Sequence, residues 1–404
     1  MSHSVLKVSN NLNSILSSNK KKLGFLFGAG SSINLGDDLK LYSIPGIKEI
    51  TQRIVDEIKE DYANTIKSIK ENDGDVFNIE SLLTNINMRI EVIGKGTIDN
   101  LNKQQLIALR DSIVDQIKDI LVKHLDIHEK QLDHFLPHVK FANWLKNTKR
   151  DFGIEIFTTN YDMLIEMALE NSKVKFVDGF FGSLHPFFDS TYISKISKDE
   201  NVKLWKIHGS LGWSESHNGI IRSMKTKSLM ILPSILKYKD SRKEPYTCLL
   251  DRLSYFIKSD DCVLITSGYS FQDQHINEII LDALKTNTNS LVVGLLYDKL
   301  PSGESLLENS NSLKKMCIEN NRFWLLGNKS AYIDGQYGEY EYDNISKDNL
   351  DLTEYLFESI FVQSKNEKEV DEEKQKIKAI LKIVDSPQLF RYLESMRLEI
   401  SKDE

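Results

Sequence analysis

A series of short apolar runs, each closed by glycine or a small polar cluster, constrains this chain more than any other feature of its sequence. Leu23–Phe27 ends in Gly28-Ala29-Gly30-Ser31-Ser32, and residues 152–158 end in Thr159-Asn160. The run VKLWKI ends at His208-Gly209, and CVLITS ends at Gly268-Tyr269-Ser270. SLVVGLLYD and RFWLLG follow further on. Runs of this length bounded by turn residues predict buried strands. Helical patterns lie between them: YDMLIEMALEN, a segment near 244–258, HINEIILDALKT and SLLENSNSLKKMCIEN. Alternating strands and helices predict an α/β fold with a parallel sheet covered on both faces.

The alternation is interrupted once. From about 45 to 148 the spacing of apolar residues is helical throughout. Pro45 stands at a helix start, Asn78 is a cap for IESLLTNINMRIEV, and Pro137 divides KQLDHFLPHVKFANWLKN into two helices. A large helical insertion is expected there, and residues 5–18 predict a short amphipathic helix before the first strand. The organisation expected is one unit over 1–342 containing the insertion, then a charged, mostly helical C-terminal region over 343–404. Within that region Lys365–Lys378 reads as a solvated helix face or linker.

Ligands of open parallel sheets bind beyond the carboxyl ends of the strands. Four motifs occupy such ends here, on four separate strands, and together they define a shared rim. Gly28, Ala29 and Gly30 permit close backbone approach, and amides at a strand–helix turn can hold a pyrophosphate. The GxGxxG spacing is not met, and a tight structural turn is the alternative. Asn160 and Asp162 can serve a site, or they can cap and favour the following helix. His208 is a potential acid or base, or a structural histidine. Ser270 can bond a ribose or phosphate, while Asp273 is in place to cap the next helix, and His275 within that helix reads as structural.

Taken in chain order, GAGSS, TTNYD, HG and GYS resemble the series of motifs in the sirtuin catalytic domain. The resemblance runs over roughly 22–330, with the helical insertion where sirtuins carry their smaller module, and implies a Rossmann-like sheet. The spellings TTNYD and GYSFQD are more similar to bacterial sirtuin-like, NAD-cleaving domains of anti-phage defence. Length and C-terminal region resemble the stand-alone subunit that pairs with a HerA-type ATPase. By this resemblance Gly28, Ala29, Gly30, Ser31 and Ser32 would lie against the phosphates of NAD, and Thr159 beside them. Asn160 and Asp162 would face the nicotinamide–ribose end, and His208 would act as the base there. Gly268 and Ser270 would contact the adenosine half, where Leu295–Asp298 departs from the sirtuin spelling.

The resemblance thus implies an NAD glycohydrolase, homo-oligomeric and controlled by its ATPase partner, with nucleic acid reached through that assembly, while the sparse cysteines and an N-terminus without signal-peptide order lead to a cytoplasmic expectation. Composition narrows this further. The three cysteines, Cys248, Cys262 and Cys317, form no CxxC pair, so neither the zinc module of sirtuin deacylases nor a disulfide framework is expected. NAD cleavage itself requires no metal. His124, His128, Asp133, His134 and His138 match no zinc spacing and read as a polar helix surface. The net charge of −7 argues against a chain built to coat nucleic acid but says nothing of local patches. No apolar stretch approaches the roughly 18–20 residues of a membrane span. A nuclease, and an NAD-binding sensor without turnover, are the rival readings.

Overall fold

The computed structural model describes residues 2–74, 77–193, 195–196, 202–217, 219–223, 244–298, 305–342, 353–360 and 378–400. In chain order the strands are β1 (Ser2–Ser4), β2 (Lys22–Phe27), β3 (Ile154–Thr158), β4 (Phe180–Phe181), β5 (Phe187–Phe188), β6 (Val202–Lys206), β7 (Trp213–Ser216) and β8 (Gly219–Arg222). They continue with β9 (Cys262–Ser267), β10 (Leu291–Leu295), β11 (Phe323–Leu326), β12 (Ser330–Ile333), β13 (Gln336–Glu341), β14 (Phe357–Ile360) and β15 (Lys378–Leu381).

Six strands pair in parallel in the order β6-β3-β2-β9-β10-β11. The chain builds outward from β2 to β3 and β6, then returns across β2 to lay down β9, β10 and β11. This is a doubly wound order, and the place where its direction reverses lies between β2 and β9. Leu23–Phe27 and every residue of β3, β6 and β9 are buried, because helices cover both faces of the sheet. That double burial is why these strands read as unbroken apolar runs.

Beyond β11 the sheet continues antiparallel through β12, β13, β15 and β14, and β1 adds to β13 in parallel. These additions were not anticipated. Gln336–Glu341 alternates polar and small residues with tyrosine, and one half-buried face leaves little apolar signal. The C-terminal region therefore contributes strands as well as the helix Ser386–Ile400. Residues 365–377 of the expected charged helix lie outside the described residues. A second, four-stranded antiparallel sheet runs β4-β5-β8-β7. Between Leu164–Asn171 and β6, residues 174–181 contribute only a bridge from Val177 to Lys203 and the short β4.

The insertion is helical, as its periodicity predicts: Ile47–Glu57, Ala63–Asp73, Ile79–Val92, Lys103–Leu121, Glu129–Phe135 and Pro137–Asn147. Asn78 caps the third of these by accepting from the amides of Glu80 at 2.8 Å and Ser81 at 3.0 Å. Pro137 opens the last one at its first helical position. That last helix sets Phe141 edge-on to Phe25 and Phe27 of β2 with ring centroids 5.1 and 5.2 Å apart. Phe390 of Ser386–Ile400 closes the same cluster, 5.5 Å from Phe27 and 5.4 Å from Phe141. On the other face Tyr246–Lys258 and Gln274–Thr286 pack over Leu26, Phe157 and Trp205. Glu155, buried in β3, accepts from Trp205 Nε1 at 2.8 Å and Arg252 Nε at 2.8 Å, so β3, β6 and Tyr246–Lys258 are tied by one carboxylate. Among the described residues no helix is long and apolar enough to cross a membrane.

The histidines of the insertion correct an expectation. His124 and His138 are 0% and 1% exposed and do not belong to a polar helix surface. The Nδ1 of His124 lies 2.6 Å from the Leu121 carbonyl oxygen, and its Nε2 accepts from the Met163 amide at 2.9 Å. These partners select the Nδ1–H tautomer. His138 packs against the Phe390 ring at 5.1 Å, and neither of its nitrogens has a hydrogen-bond partner among the described residues. His128 instead caps Glu129–Phe135, and Asp133 accepts from Asn171 at 2.6 Å.

Burial pushes His138 down to about 4. It is neutral in the fold at pH values where the unfolded chain, protonating near 6.5, already binds a proton. Stability is therefore lost as pH falls through 6.5 and levels off below 4, by about 3 kcal/mol for this group. A His138→Phe variant is expected to have a flatter urea midpoint between pH 7 and 4.5 than the parent. Parallel pH profiles for the two proteins would remove His138 from the acid response.

Candidate functional site

The loops following β2, β3, β6 and β9 meet at one end of the parallel sheet, and hydrogen bonds continue the strand ladder into them. The Gly28 amide donates to Ser267 O at 3.1 Å, Thr159 N to Phe27 O at 3.1 Å, and Ile207 N to Thr158 O at 3.0 Å. The rim predicted from the four motifs is thus assembled in space, and its centre is the reversal point between β2 and β9.

Two of the loops touch backbone to backbone. A Cβ on Gly28 would sit 2.5 Å from Gly268 O, and one on Gly30 would sit 2.7 Å from Gly268 Cα. At Gly268, where φ is +66°, a Cβ would lie 2.3 Å from the Ser31 amide nitrogen. Glycine is required at all three places by this contact. The amides of Gly28, Gly30, Ser31 and Ser32 all donate to protein carbonyls, those of Ser267, Gly268, Gly28 and Ala29 respectively. The geometry therefore turns these four N–H groups inward, and the expected amide cradle for phosphate is not formed by them. Ser31 and Ser32 are 1% exposed, whereas Ala29 and Ser270 are exposed and Thr159 is half-buried.

Asn160 joins the β3 loop to the β2 loop. Its Nδ2 lies 3.1 Å from Gly28 O, 3.0 Å from Ser31 Oγ and 3.0 Å from Ser32 Oγ. A carbonyl oxygen only accepts, so the amide NH2 faces the loop. The side-chain oxygen then points the other way, and it accepts no hydrogen bond from the described residues. Asn160 caps no helix: the next one begins at Leu164, and its first amide donates to Asp162 Oδ1 at 3.1 Å. Asp162 is thereby placed as the acceptor at that helix start, 5% exposed, with its carboxylate spent inside the protein.

Three further residues hold this rim, and of these only Asp273 was read from the sequence, as a helix cap. Lys206, the last residue of β6, is buried and donates from Nζ to the carbonyl of Asp162, to that of Tyr161 at 3.4 Å and to Glu166 Oε1 at 2.8 Å. It pins the 160–163 segment against β6. The signal was a lysine in an apolar run and a glutamate in LIEM, which only a common burial explains. Burial pushes the Glu166 carboxyl up although Lys206 opposes it. Asp273 caps Gln274–Thr286 through Ile276 N, and its Oδ2 also lies 3.2 Å from His208 Nε2. His208 is 9% exposed. A carboxylate on one imidazole nitrogen orients the ring.

The β9 loop is shaped to make that pair. Tyr269 is buried and donates from its hydroxyl to Asp273 O at 3.2 Å and Asn277 Oδ1 at 3.0 Å, while Asn277 Nδ2 donates to Phe271 O at 2.7 Å. At the neighbouring strand end Asp298 is occupied structurally. Its Oδ1 accepts from Leu307 N at 2.7 Å and its Oδ2 from the Ser305 hydroxyl at 2.7 Å. The departure Leu295–Asp298 is thus accounted for by a buried capping role.

Gly268→Ala is expected to destabilise the fold by roughly 2–4 kcal/mol, since a left-handed residue and a backbone clash are combined. Gly36→Ala has the strained φ of +92° but open space around it and serves as the comparison. Equal melting temperatures for these two variants would show that the loop contact does not govern stability.

Residues 154–319 match the SIR2-like domain family. The match spans Asn160, Asp162, His208, Gly268, Ser270 and Asp273, and excludes the glycine loop after β2. No curated protein matches the chain. The matched span, set in a mostly parallel Rossmann-like sheet, supports a sirtuin-like domain, and SIR2-like domains are in general NAD-dependent enzymes.

Proposed function

We propose that the protein is an NAD glycohydrolase, converting NAD and water to nicotinamide, ADP-ribose and a proton. One observation carries the reading: a buried imidazole held by a carboxylate, His208 with Asp273, on the same rim as an asparagine whose amide is anchored and whose oxygen is turned outward. A pure binder has no need of the base.

The bond broken joins ribose C1′ to a cationic nicotinamide nitrogen. Its electron pair leaves with the ring, which departs neutral, so no general acid is required. Positive charge develops on the ribose and must be met from the opposite face by water. His208 takes the proton as the new C1′–O bond forms, and Asp273 stabilises the resulting imidazolium. Asn160 accepts from a ribose hydroxyl or from the attacking water through its side-chain oxygen, which adds orientation without charge. Gly28, Ala29 and Gly30 with Gly268 and Ser270, whose loops touch backbone to backbone, form the floor on which the dinucleotide lies. Ser31, Ser32, Thr159 and Asp162 shape the walls and hold Asn160 in place.

We also infer that the enzyme works as a homo-oligomer with a HerA-type ATPase in anti-phage defence. The spellings TTNYD and GYSFQD, and the extra C-terminal region, support that setting. An NAD-cleaving activity left uncontrolled would be toxic, and assembly is the natural control.

The decisive experiment is incubation of the purified protein with NAD, alone and with the ATPase and DNA, with products separated by chromatography. Nicotinamide and ADP-ribose are expected from the parent protein, and losses of about 10²-fold or more from Asn160→Ala and His208→Ala at equal folded protein. Undiminished NAD loss in either variant strikes that residue from the mechanism. Absence of turnover under every condition overturns the hydrolase reading. Asp273→Asn tests positioning separately: kcat should fall at least tenfold with KM little changed as the His208 ring loses the carboxylate that orients it. An unchanged kcat would leave Asp273 only its capping role.

A further inference from the structure

A cavity of about 510 Å³ opens at the other end of the same strands, beside Ile154 and Val202, the first residues of β3 and β6. Among the described residues its lining carries Lys146, Lys149, Arg150, Lys173 and Lys175 and no acidic residue. None of these five cations has a carboxylate partner among the described residues. Arg150 donates from Nη1 to Leu16 O at 2.8 Å and from Nη2 to Lys21 O at 3.1 Å, so backbone dipoles hold it without neutralising it. Burial lowers Arg150 to about 10, which leaves it charged near neutral pH.

Concentrating five cations in one concavity without a carboxylate partner among the described residues is unfavourable in itself and runs against a chain whose net charge is −7. Helix dipoles account for part of it. Lys146 lies in the last turn of Pro137–Asn147, and Lys173 follows the end of Leu164–Asn171. Lys149, Arg150 and Lys175 lie beyond those turns and are not explained by the dipoles. Thr148 contributes a hydroxyl, but it is donated to Trp144 O at 2.8 Å. Among the described residues the recognition chemistry on offer is therefore cationic: several positive charges, four of them exposed lysine heads at Lys146, Lys149, Lys173 and Lys175, around a space of nucleotide size.

We propose that this cavity binds a phosphate-rich anion, seating two or three consecutive phosphate groups, at a site separated from the catalytic rim by the length of β3 and β6. Both a single nucleic-acid strand and the polyphosphate of a free nucleotide present that chemistry. Phosphates in either case displace counter-ions and bind with strong salt dependence.

The test uses the full chain and no NAD, so that its result is independent of the hydrolase reading. A fluorescein-labelled fifteen-nucleotide thymidine strand is titrated by anisotropy at several salt concentrations, and inorganic tripolyphosphate is titrated by calorimetry. The paired variant Lys149→Glu/Lys175→Glu is compared with Lys67→Glu/Lys315→Glu, which reverses two exposed lysines elsewhere. The expected result is at least a tenfold loss of affinity for the first pair only, with the salt slope for the strand reduced by about 1.4. Lys149 and Lys175 are exposed, so circular dichroism melts should match the parent. Binding of the strand identifies nucleic acid as the source, and binding of tripolyphosphate alone identifies a free nucleotide. Binding of neither probe, or equal losses in both paired variants, overturns the site.

Discussion

The contact on which the rest of the site depends is a backbone-to-backbone approach between the loops after β2 and β9. Gly28, Gly30 and Gly268 leave no side chain between them, and the Gly30 amide donates directly to Gly268 O at 2.9 Å. This closes the reversal point of the sheet from below. With that floor fixed, Asn160 reaches Gly28, Ser31 and Ser32, and the β9 loop turns so that Asp273 meets His208. A Cβ at any of the three glycines separates the two loops and dislodges partners on four strands together.

The parallel core was legible because double burial writes strands as apolar runs, and the motifs at their ends were legible because glycine and asparagine interrupt those runs. What the residues spend their atoms on was not. The glycines suggested a phosphate cradle, yet the amides of Gly28, Gly30, Ser31 and Ser32 all face protein. Asn160 looked equally suited to a helix cap, and only the three-residue extension to Leu164 frees it from that role. Asp273 was visible as a cap and invisible as the partner of His208, because sixty-odd residues of chain separate the two and only the β9 loop conformation joins them. β13 and β15 were missed for a different reason: their burial alternates along the strand, so polar residues interrupt the apolar signal.

Behind the rim lies a polar layer that an apolar core could have replaced at lower cost. Lys206 and Glu166 form a pair with side chains 3% and 9% exposed, next to carbonyls of Tyr161 and Asp162. His124 takes up the Met163 amide in the same region. Each of these contacts satisfies backbone in the irregular segment between β3 and Leu164, which has no ladder of its own. Buried charge is here the means of holding a loop in one conformation, consistent with the general finding that such pairs specify geometry more than they add stability.

The ring of Phe390 lies against Phe27 and Phe141, and the Tyr392 hydroxyl donates to Asn13. Residues near the start of the chain thus complete their packing only on residues near 390. On a ribosome, which delivers the chain from its N-terminus at about 5–20 residues per second, the strand bearing the glycine loop waits until residues near 390 have emerged before the covering of its inner face is complete. The rim accordingly matures late in synthesis, and incomplete chains carry its motifs without the support that organises them.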